Sequence, residues 1–162
     1  MNEAAKKSCQ VIESVLSGSK AYRKMGRGQY VVRQGSAYVT VEVLSGKKGT
    51  AIVRFVAPLV HGVRLSRELA MSLLTLNTQL RFGAFGWVPT GRAVLLTHSI
   101  LGGETLDPEE ILWTLGDVAL LADEYDDKIV EAGGGMRMQD MIEDEALANI
   151  TRTLEDRKAD KN

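Results

Sequence analysis

The spacing of apolar residues predicts a helix at the start of the chain. Apolar side chains recur there every three or four residues, and Gly18 follows where such a helix would stop. We therefore predict a helix over residues 3–17. The single cysteine lies on this stripe, which favours a small buried side chain over a reactive thiol. The residues of the stripe are Ala5, Cys9, Ile12 and Leu16.

Three runs rich in β-branched residues follow a basic connection at residues 18–28. They cover residues 29–34, 37–44 and 50–57, with turn sequences between them, and Pro58 is predicted to end the third. These runs predict an antiparallel meander. In the middle run three valines alternate with more polar residues, as in a strand that buries one face and leaves the other open to water or a partner.

The second half of the chain returns to a helix and then to strands. Ser66 is a predicted N-cap for a short apolar helix. Two strand-like runs at residues 80–88 and 92–100 flank a tight turn. Asp107 and Pro108 then open a long helix of about 24 residues. A run of glycines interrupts the pattern after it, and a charged helical stretch follows.

The order of these elements, α-β-β-β-α-β-β-α, predicts an α+β fold. We expect an antiparallel sheet of about five strands flanked by helices, with a C-terminal accessory helix. Residues 1–132 form the predicted domain, and residues 133–162 form a glycine hinge with a helical tail.

Bulky rings alternate with small residues in the predicted strand at residues 80–88. The alternation places Phe85 and Trp87 on one face. On the other face Ala84 and Gly86 leave a shallow trough beside Phe82. Our interpretation is that a helix of the same chain fills this trough, and the alternative is a docked partner segment.

The net charge of -1 hides a division along the chain. Residues 1–67 contain 12 Lys and Arg against 3 Asp and Glu, whereas residues 104–131 contain 10 Asp and Glu against a single lysine. The two regions either neutralise each other or recruit partners.

Candidate catalytic chemistry is sparse. A single cysteine excludes an internal disulfide, and with two histidines a structural zinc site would need carboxylates as well. Asp123 and Asp127 stand one helical turn apart, but no second acidic helix completes a metal site. His98 has apolar neighbours on its strand face, which favours a core histidine over a base. We predict a non-enzymatic protein with no cofactor and no metal.

Targeting signals are also lacking in the sequence. No apolar run approaches the roughly 20 residues of a membrane span, and the first residues do not form a signal peptide pattern. We predict a cytoplasmic protein that does not bind membranes.

Three phrases in this element order resemble the YbjN family, which shares the fold of type III secretion chaperones of the Tir-chaperone class. They are LLTLNTQLRFGAFGWV, LLTHSILGGETLDPEEI and VALLADEYDDKIVEAGG, within a similarity over about residues 10–135. The resemblance implies a chaperone-like or regulatory homodimer that holds extended protein or peptide clients against the sheet and the first helix. It implies no catalysis.

Two groups of site residues follow from this resemblance and from the patterns above. Client contact is predicted on the open sheet face and the first helix around Tyr30, Tyr38 and Thr40, with the trough of Phe82, Ala84 and Gly86 as the alternative. The second helix is apolar on more than one face, which favours a dimer interface. Its residues are Leu69, Met71, Leu73, Leu74 and Leu76.

Single-stranded nucleic acid is the alternative ligand. The segment at residues 20–27 combines four cations with Tyr22, and Tyr30 follows closely. A sequence pI of about 6.1 and the acidic third helix argue against this interpretation. The four cations are Lys20, Arg23, Lys24 and Arg27.

Overall fold

The computed structural model describes residues 1–159 of the 162 in the chain. Four helices are present in this range: α1 Glu3–Leu16, α2 Arg67–Asn77, α3 Pro108–Gly133 and α4 Met138–Ala159. The seven strands of the described range are β1 Tyr22–Gly26, β2 Gln29–Gln34, β3 Ala37–Ser45, β4 Ala51–His61, β5 Ala84–Val88, β6 Ala93–Gly102 and β7 Met136–Arg137.

One antiparallel sheet contains all these strands, in the order β1-β2-β3-β4-β6-β5, with β7 paired to the end of β4. The α+β class, the predicted helices and the meander are therefore confirmed. The division at residue 132 stays a prediction, and residues 160–162 of the predicted tail lie outside the described part of the chain.

Strand β1 was missed because it lies in the segment that the sequence predicts to be a basic connection. Only Tyr22 and Gly26 at its ends are partly buried, and the three residues between them are exposed. It is an edge strand that pairs only with β2. Its central residues are not buried on either face, so its sequence lacks the apolar alternation by which a strand is predicted. Strand β7 is two residues long and is too short to carry a pattern.

The prediction that Pro58 ends the third strand is wrong. Strand β4 continues to His61, and its register against β6 shifts between Pro58 and Val60. The pairing of β3 with β4 ends at Val56, two residues before Pro58. Because β3 does not pair with Pro58, the missing N–H of this proline costs no ladder hydrogen bond on the β3 side of β4.

Helices α1 and α3 cover one face of the sheet, which we call the inner face, and enclose the core there. Ala5, Ile12 and Leu16 of α1 are buried as predicted, whereas Cys9 is only half-buried at the margin of the stripe. Burial of a side chain such as Ile12 stabilises the fold by about 1.5–3 kcal/mol.

A buried serine also fastens α1 to the sheet. Ser8 Oγ accepts a hydrogen bond from the N–H of Gly103 at 2.8 Å and donates to the carbonyl of Ala4 at 2.9 Å. Both polar groups of this contact are thereby satisfied inside the core. Among residues 1–159, no helix is long and apolar enough to cross a membrane.

Candidate peptide-binding surface

The face of the sheet opposite α1 and α3, which we call the outer face, carries a row of side chains that spans four strands. Thr40 of β3 pairs with Val56 of β4, Val56 with Thr97 of β6, and Thr97 with Ala84 of β5. All four are half-buried. Neighbouring strands lie about 4.8 Å apart, so the row is about 14 Å long.

A second row on the outer face is apolar and open. Leu44 pairs with Ile52, and Ile52 pairs with Leu101. Their exposed fractions are 41%, 37% and 71%, so three large apolar side chains in neighbouring strands face solvent together. We call Leu44, Ile52 and Leu101 the apolar row. The exposed apolar patches of soluble domains often mark sites of interaction.

An ion pair separates the two rows. Arg54 of β4 donates to the carboxylate of Glu42 on β3, with Nη2 and Oε2 2.6 Å apart. The two residues are also cross-strand partners. Apolar, charged and half-buried rows therefore succeed one another across the outer face, a pattern that can accept an extended segment with side chains of mixed character.

Four of the six predicted client residues share this outer face: Tyr38, Thr40, Ala84 and Gly86. Tyr30 does not. It pairs with Val41 on the inner face and is fully buried. The hydroxyl of Tyr30 donates to Glu13 of α1 at 2.9 Å, and burial raises its pKa. Tyr30 therefore links the first helix to the sheet.

Phe82 is also separate from the outer face. Its ring meets the edge of the His98 ring, with 5.4 Å between centroids, and His98 pairs with buried Phe55 on the inner face. Gly83 has φ +83° and breaks the strand that the sequence predicts over residues 80–88, so β5 begins only at Ala84.

The predicted helical cover of the trough is wrong because the helix packs on the other face of β5. The ring of Phe85 packs against Tyr125 of α3, with 5.3 Å between centroids. On the trough side, a side chain added at Gly86 would instead meet Leu95 of the neighbouring strand at 3.2 Å.

The free edge of β5, on the side away from β6, lies beside α2. The side-chain amide of Asn77 accepts from the N–H of Phe85 at 2.7 Å and donates to its carbonyl at 3.2 Å. A groove of about 190 Å³ lies beside this contact. Its lining includes Leu65, Ala70, Leu73, Leu74, Phe85 and Trp87.

The predicted dimer residues divide into two groups on α2. Leu69 and Leu73 are buried in the core of the chain itself, and Leu76 is partly buried against it. Met71 and Leu74 point outward with 55% and 59% exposure. The dimer interface stays a prediction, and these two side chains are the ones that remain free to meet a second copy.

The cations of the predicted nucleic-acid segment contact the chain itself at two positions. Lys24 pairs with Glu13 of α1 at 2.7 Å, and this hydrogen bond is the main reason that the pKa of Glu13 is lowered. Arg23 donates to the backbone carbonyls of Lys20 and Tyr22 at 3.0 and 2.8 Å.

The candidate catalytic groups are engaged in structural contacts. His98 Nδ1 accepts from the N–H of Gly83 at 3.0 Å. Asp123 and Asp126 both accept from the hydroxyl of Ser36, in the turn between β2 and β3. The bonds from Ser36 lower the pKa of Asp123, whereas burial raises that of Asp126. Within residues 1–159, no group of three His, Cys, Asp or Glu is placed to hold a metal ion.

Comparison with known families decides between the possible functions. Residues 9–141 match the family described as T3SS (YopN, CesT) and YbjN peptide-binding chaperone 1. The chain belongs to this family. It is therefore a peptide-binding, chaperone-like module, and nothing in the match supports the nucleic-acid alternative.

Solved structures agree on the fold. A chain in the crystal structure of the ExsC–ExsE complex superposes with a TM-score of 0.59 at 16% identity. The match covers 80% of this chain and 97% of that one. No curated protein matches the sequence.

The sequence patterns did not predict the apolar row or the contact of Asn77 with β5. Buried and exposed positions alternate along β3 and β4, and Leu44 and Ile52 occupy exposed positions. A large apolar residue at a position where a polar one is expected was therefore the signal in the sequence. The pairing of Asn77 with a strand edge left no signal, because it depends on how α2 and β5 meet.

Proposed function

We propose that this chain is a homodimeric, cytoplasmic chaperone or regulator that holds an extended client segment against the outer face and performs no catalysis. The apolar row is the observation that carries this proposal. It leaves three large apolar side chains in solvent on a face that neither α1 nor α3 covers. A client segment that lies on the apolar row gains the burial of these three side chains.

The neighbouring rows add polar contacts to this surface. Thr40 and Thr97 carry hydroxyls, and the Glu42–Arg54 pair offers both signs of charge to a client backbone or side chain. Tyr38 extends the surface beside Arg33, whose guanidinium carbon lies 5.6 Å from the centre of its ring. In this proposal Tyr30 supports α1 from the inner face and does not touch the client.

Replacement of Leu101 by Glu tests the client site. Leu101 is 71% exposed, so we expect the unfolding midpoint to stay near that of the wild type. Proteins retained by the wild-type chain in pull-downs analysed by mass spectrometry should be lost. The matched control is Met25→Glu, which places the same charge at an exposed apolar residue of β1. Unchanged retention with Leu101→Glu would remove the outer face from the proposal.

The proposed dimer forms through the exposed side of α2 and the groove beside β5. Met71 and Leu74 lie three residues apart and hence on one side of the helix, and Leu74 also lines the groove. A second copy that inserts the same residues would fill the groove reciprocally, as a two-fold interface requires. The burial of Leu74 and Trp87 would supply the apolar centre of that interface.

Light scattering of Leu74→Glu tests the dimer separately from client binding. We expect the wild type to show twice the monomer mass at micromolar concentration and the variant to show the monomer mass, since Leu74 is 59% exposed within one chain. Thr75→Glu, at an adjacent exposed position, is the control. A monomeric wild type would contradict the dimer and leave the client site untouched.

Support for the lack of catalysis comes from the contacts of two candidate groups. His98 Nδ1 and Asp123 Oδ1 each accept a backbone N–H, from Gly83 and Ser36, in contacts that hold a strand end and a turn in place.

A further inference from the structure

Helix α3 carries large apolar side chains on the side that points away from the sheet. Leu112, Trp113 and Leu120 are 52%, 64% and 59% exposed, while the opposite side of the helix is buried. Each of these side chains leaves apolar area in water, and a tryptophan so exposed is unusual in a soluble domain. Tryptophan is also the residue that most often anchors protein interfaces.

Gly116 lies between the exposed side chains and opens a groove. It stands one helical turn from Leu112 and one from Leu120, and a side-chain carbon added there would meet no atom within 4 Å. The groove around it has a volume of about 490 Å³. Glycine is disfavoured within helices, so an open glycine here fits a surface that another backbone approaches closely. We call Leu112, Trp113, Gly116 and Leu120 the α3 patch.

Acidic side chains surround the α3 patch. Glu109 and Asp117 line the groove itself. Arg81 lies 3.4 Å from Asp117, but 81% of its side chain is exposed, so the pair is weak and can be exchanged for another cation.

The rest of the same helix side is acidic as well. At 100° per residue, the side that carries Gly116 continues through four more acids towards the end of α3. Lys128 and Arg137 pair with two of them, so the surface keeps a net negative charge. The four acids are Asp123, Glu124, Asp127 and Glu131.

Charge excludes two occupants that the chain itself could supply. Residues 138–159, the whole of α4, contain six acids against three Lys and Arg, so the helix is net negative. A second α3 patch would bring its own acidic rim against the first. Both pairings place like charges together, which costs binding energy.

We propose that the α3 patch docks a basic amphipathic helix of another protein. Its apolar stripe packs over Gly116 between Trp113 and Leu120, and its Lys or Arg side chains face the acidic remainder of α3. The site is on the far side of the helix from the sheet, so it is distinct from the outer face and can be occupied together with it.

A synthetic peptide of Leu and Lys, about 18 residues long and amphipathic as a helix, is the probe. Its partner probe carries Glu at every Lys. Binding is followed by anisotropy of the labelled peptide and, in a Trp87→Phe background, by the emission of Trp113 as the single tryptophan. We expect micromolar affinity for the Lys peptide, a blue shift of Trp113 and no binding of the Glu peptide.

Two variants locate the interaction. Trp113→Ala and Gly116→Leu should each weaken binding of the Lys peptide by about tenfold or more. Met25→Ala, at an equally exposed apolar site on β1, should leave affinity within about twofold. A side-chain carbon added at Gly116 meets no atom within 4 Å, so the first carbon of the leucine is accommodated there.

Several results would overturn the proposal. These are no binding of the Lys peptide, equal binding of the Glu peptide, or unchanged affinity in both patch variants. A change of oligomeric mass in Trp113→Ala would assign the patch to self-association instead. Loss of client retention in Leu101→Glu bears only on the outer face, so the two proposals fail separately.

Discussion

The two edge strands of the sheet, β1 and β5, protect their unpaired backbone groups in different ways. Strand β1 is polar, and the guanidinium of Arg23 donates a hydrogen bond to the backbone carbonyl of its neighbour Tyr22. Strand β5 is apolar, and Asn77 supplies an amide that mimics the next strand at Phe85. Charge protects the first edge from chance pairing, whereas a helix and a side-chain amide cover the second.

This difference shows how each edge is held and what each can do. Lys24 on β1 and Glu13 on α1 form an exposed pair whose energy is small, so little stability depends on that edge. At β5 a buried ring and two backbone hydrogen bonds depend on residues of α2 and α3. We therefore expect the fold to tolerate change at β1 and to resist it at β5.

The largest effect is expected for Phe85→Ala at the apolar edge. Phe85 is 8% exposed and packs on Tyr125, so its truncation leaves a cavity between β5 and α3. The loss should be about 3–5 kcal/mol in urea unfolding. Val88→Ala in the same strand, at a site 37% exposed, is the control. Equal, small losses of unfolding free energy in both variants would mean that the Phe85 ring does not anchor β5.

Asn77→Ala should have the next largest effect. The substitution removes the side-chain amide that bonds the N–H and the carbonyl of Phe85, and both bonds are partly buried. The free energy of unfolding should fall by about 1–3 kcal/mol. Hydrogen exchange at the Phe85 amide should accelerate as the edge opens. Thr75→Ala, which removes an exposed bond within α2, should change stability by about 0.5 kcal/mol or less. Unchanged exchange at Phe85 would contradict the role given to Asn77.

A smaller effect is expected for Tyr30→Phe beside the polar edge. The ring stays in the core and only the hydroxyl bond to Glu13 is lost, so the free energy of unfolding should fall by about 1 kcal/mol. Tyr38→Phe on the outer face is the matched control, and it should have little effect. A loss as large as that of Phe85→Ala would show that the β1 edge is as tightly bound as the β5 edge.

The smallest effect is the pH dependence contributed by Glu13. Hydrogen bonds from Lys24 and then Tyr30 lower the pKa of Glu13 in the folded protein. A lowered pKa stabilises the fold above the unfolded value, near 4.5, and this contribution is lost as pH falls through the folded value. Unfolding midpoints of Glu13→Gln should therefore fall less steeply with acidification below about pH 4.5 than those of the wild type. An identical slope in both proteins would rule out the contact.

Local signals were enough to predict most elements. Ser66 and Asp107 cap α2 and α3 as predicted, with their side chains accepting from Leu69 and Glu109. The valines of β3 face inward because alternation is a property of the strand alone. The family resemblance of the sequence is confirmed over residues 9–141.

The candidate site was predicted only in part. Thr40 and Ala84 were assigned to separate surfaces, yet they belong to one row of the outer face. Tyr30 and Tyr38 were assigned to one surface, yet the pairing of β2 with β3 puts them on opposite faces. Each strand's alternation was visible, but the register between strands was not, and a shift of one residue exchanges the two faces.

The sequence by itself determined where helices begin, which strand positions are buried and which family the chain resembles, because these depend on neighbours along the chain. Tertiary structure alone decided that residues 22–26 become an edge strand, since pairing with β2 is their only reason to be extended. It also decided that Leu44, Ile52 and Leu101 meet. They come from three strands far apart in sequence, and only the sheet's register makes them one surface.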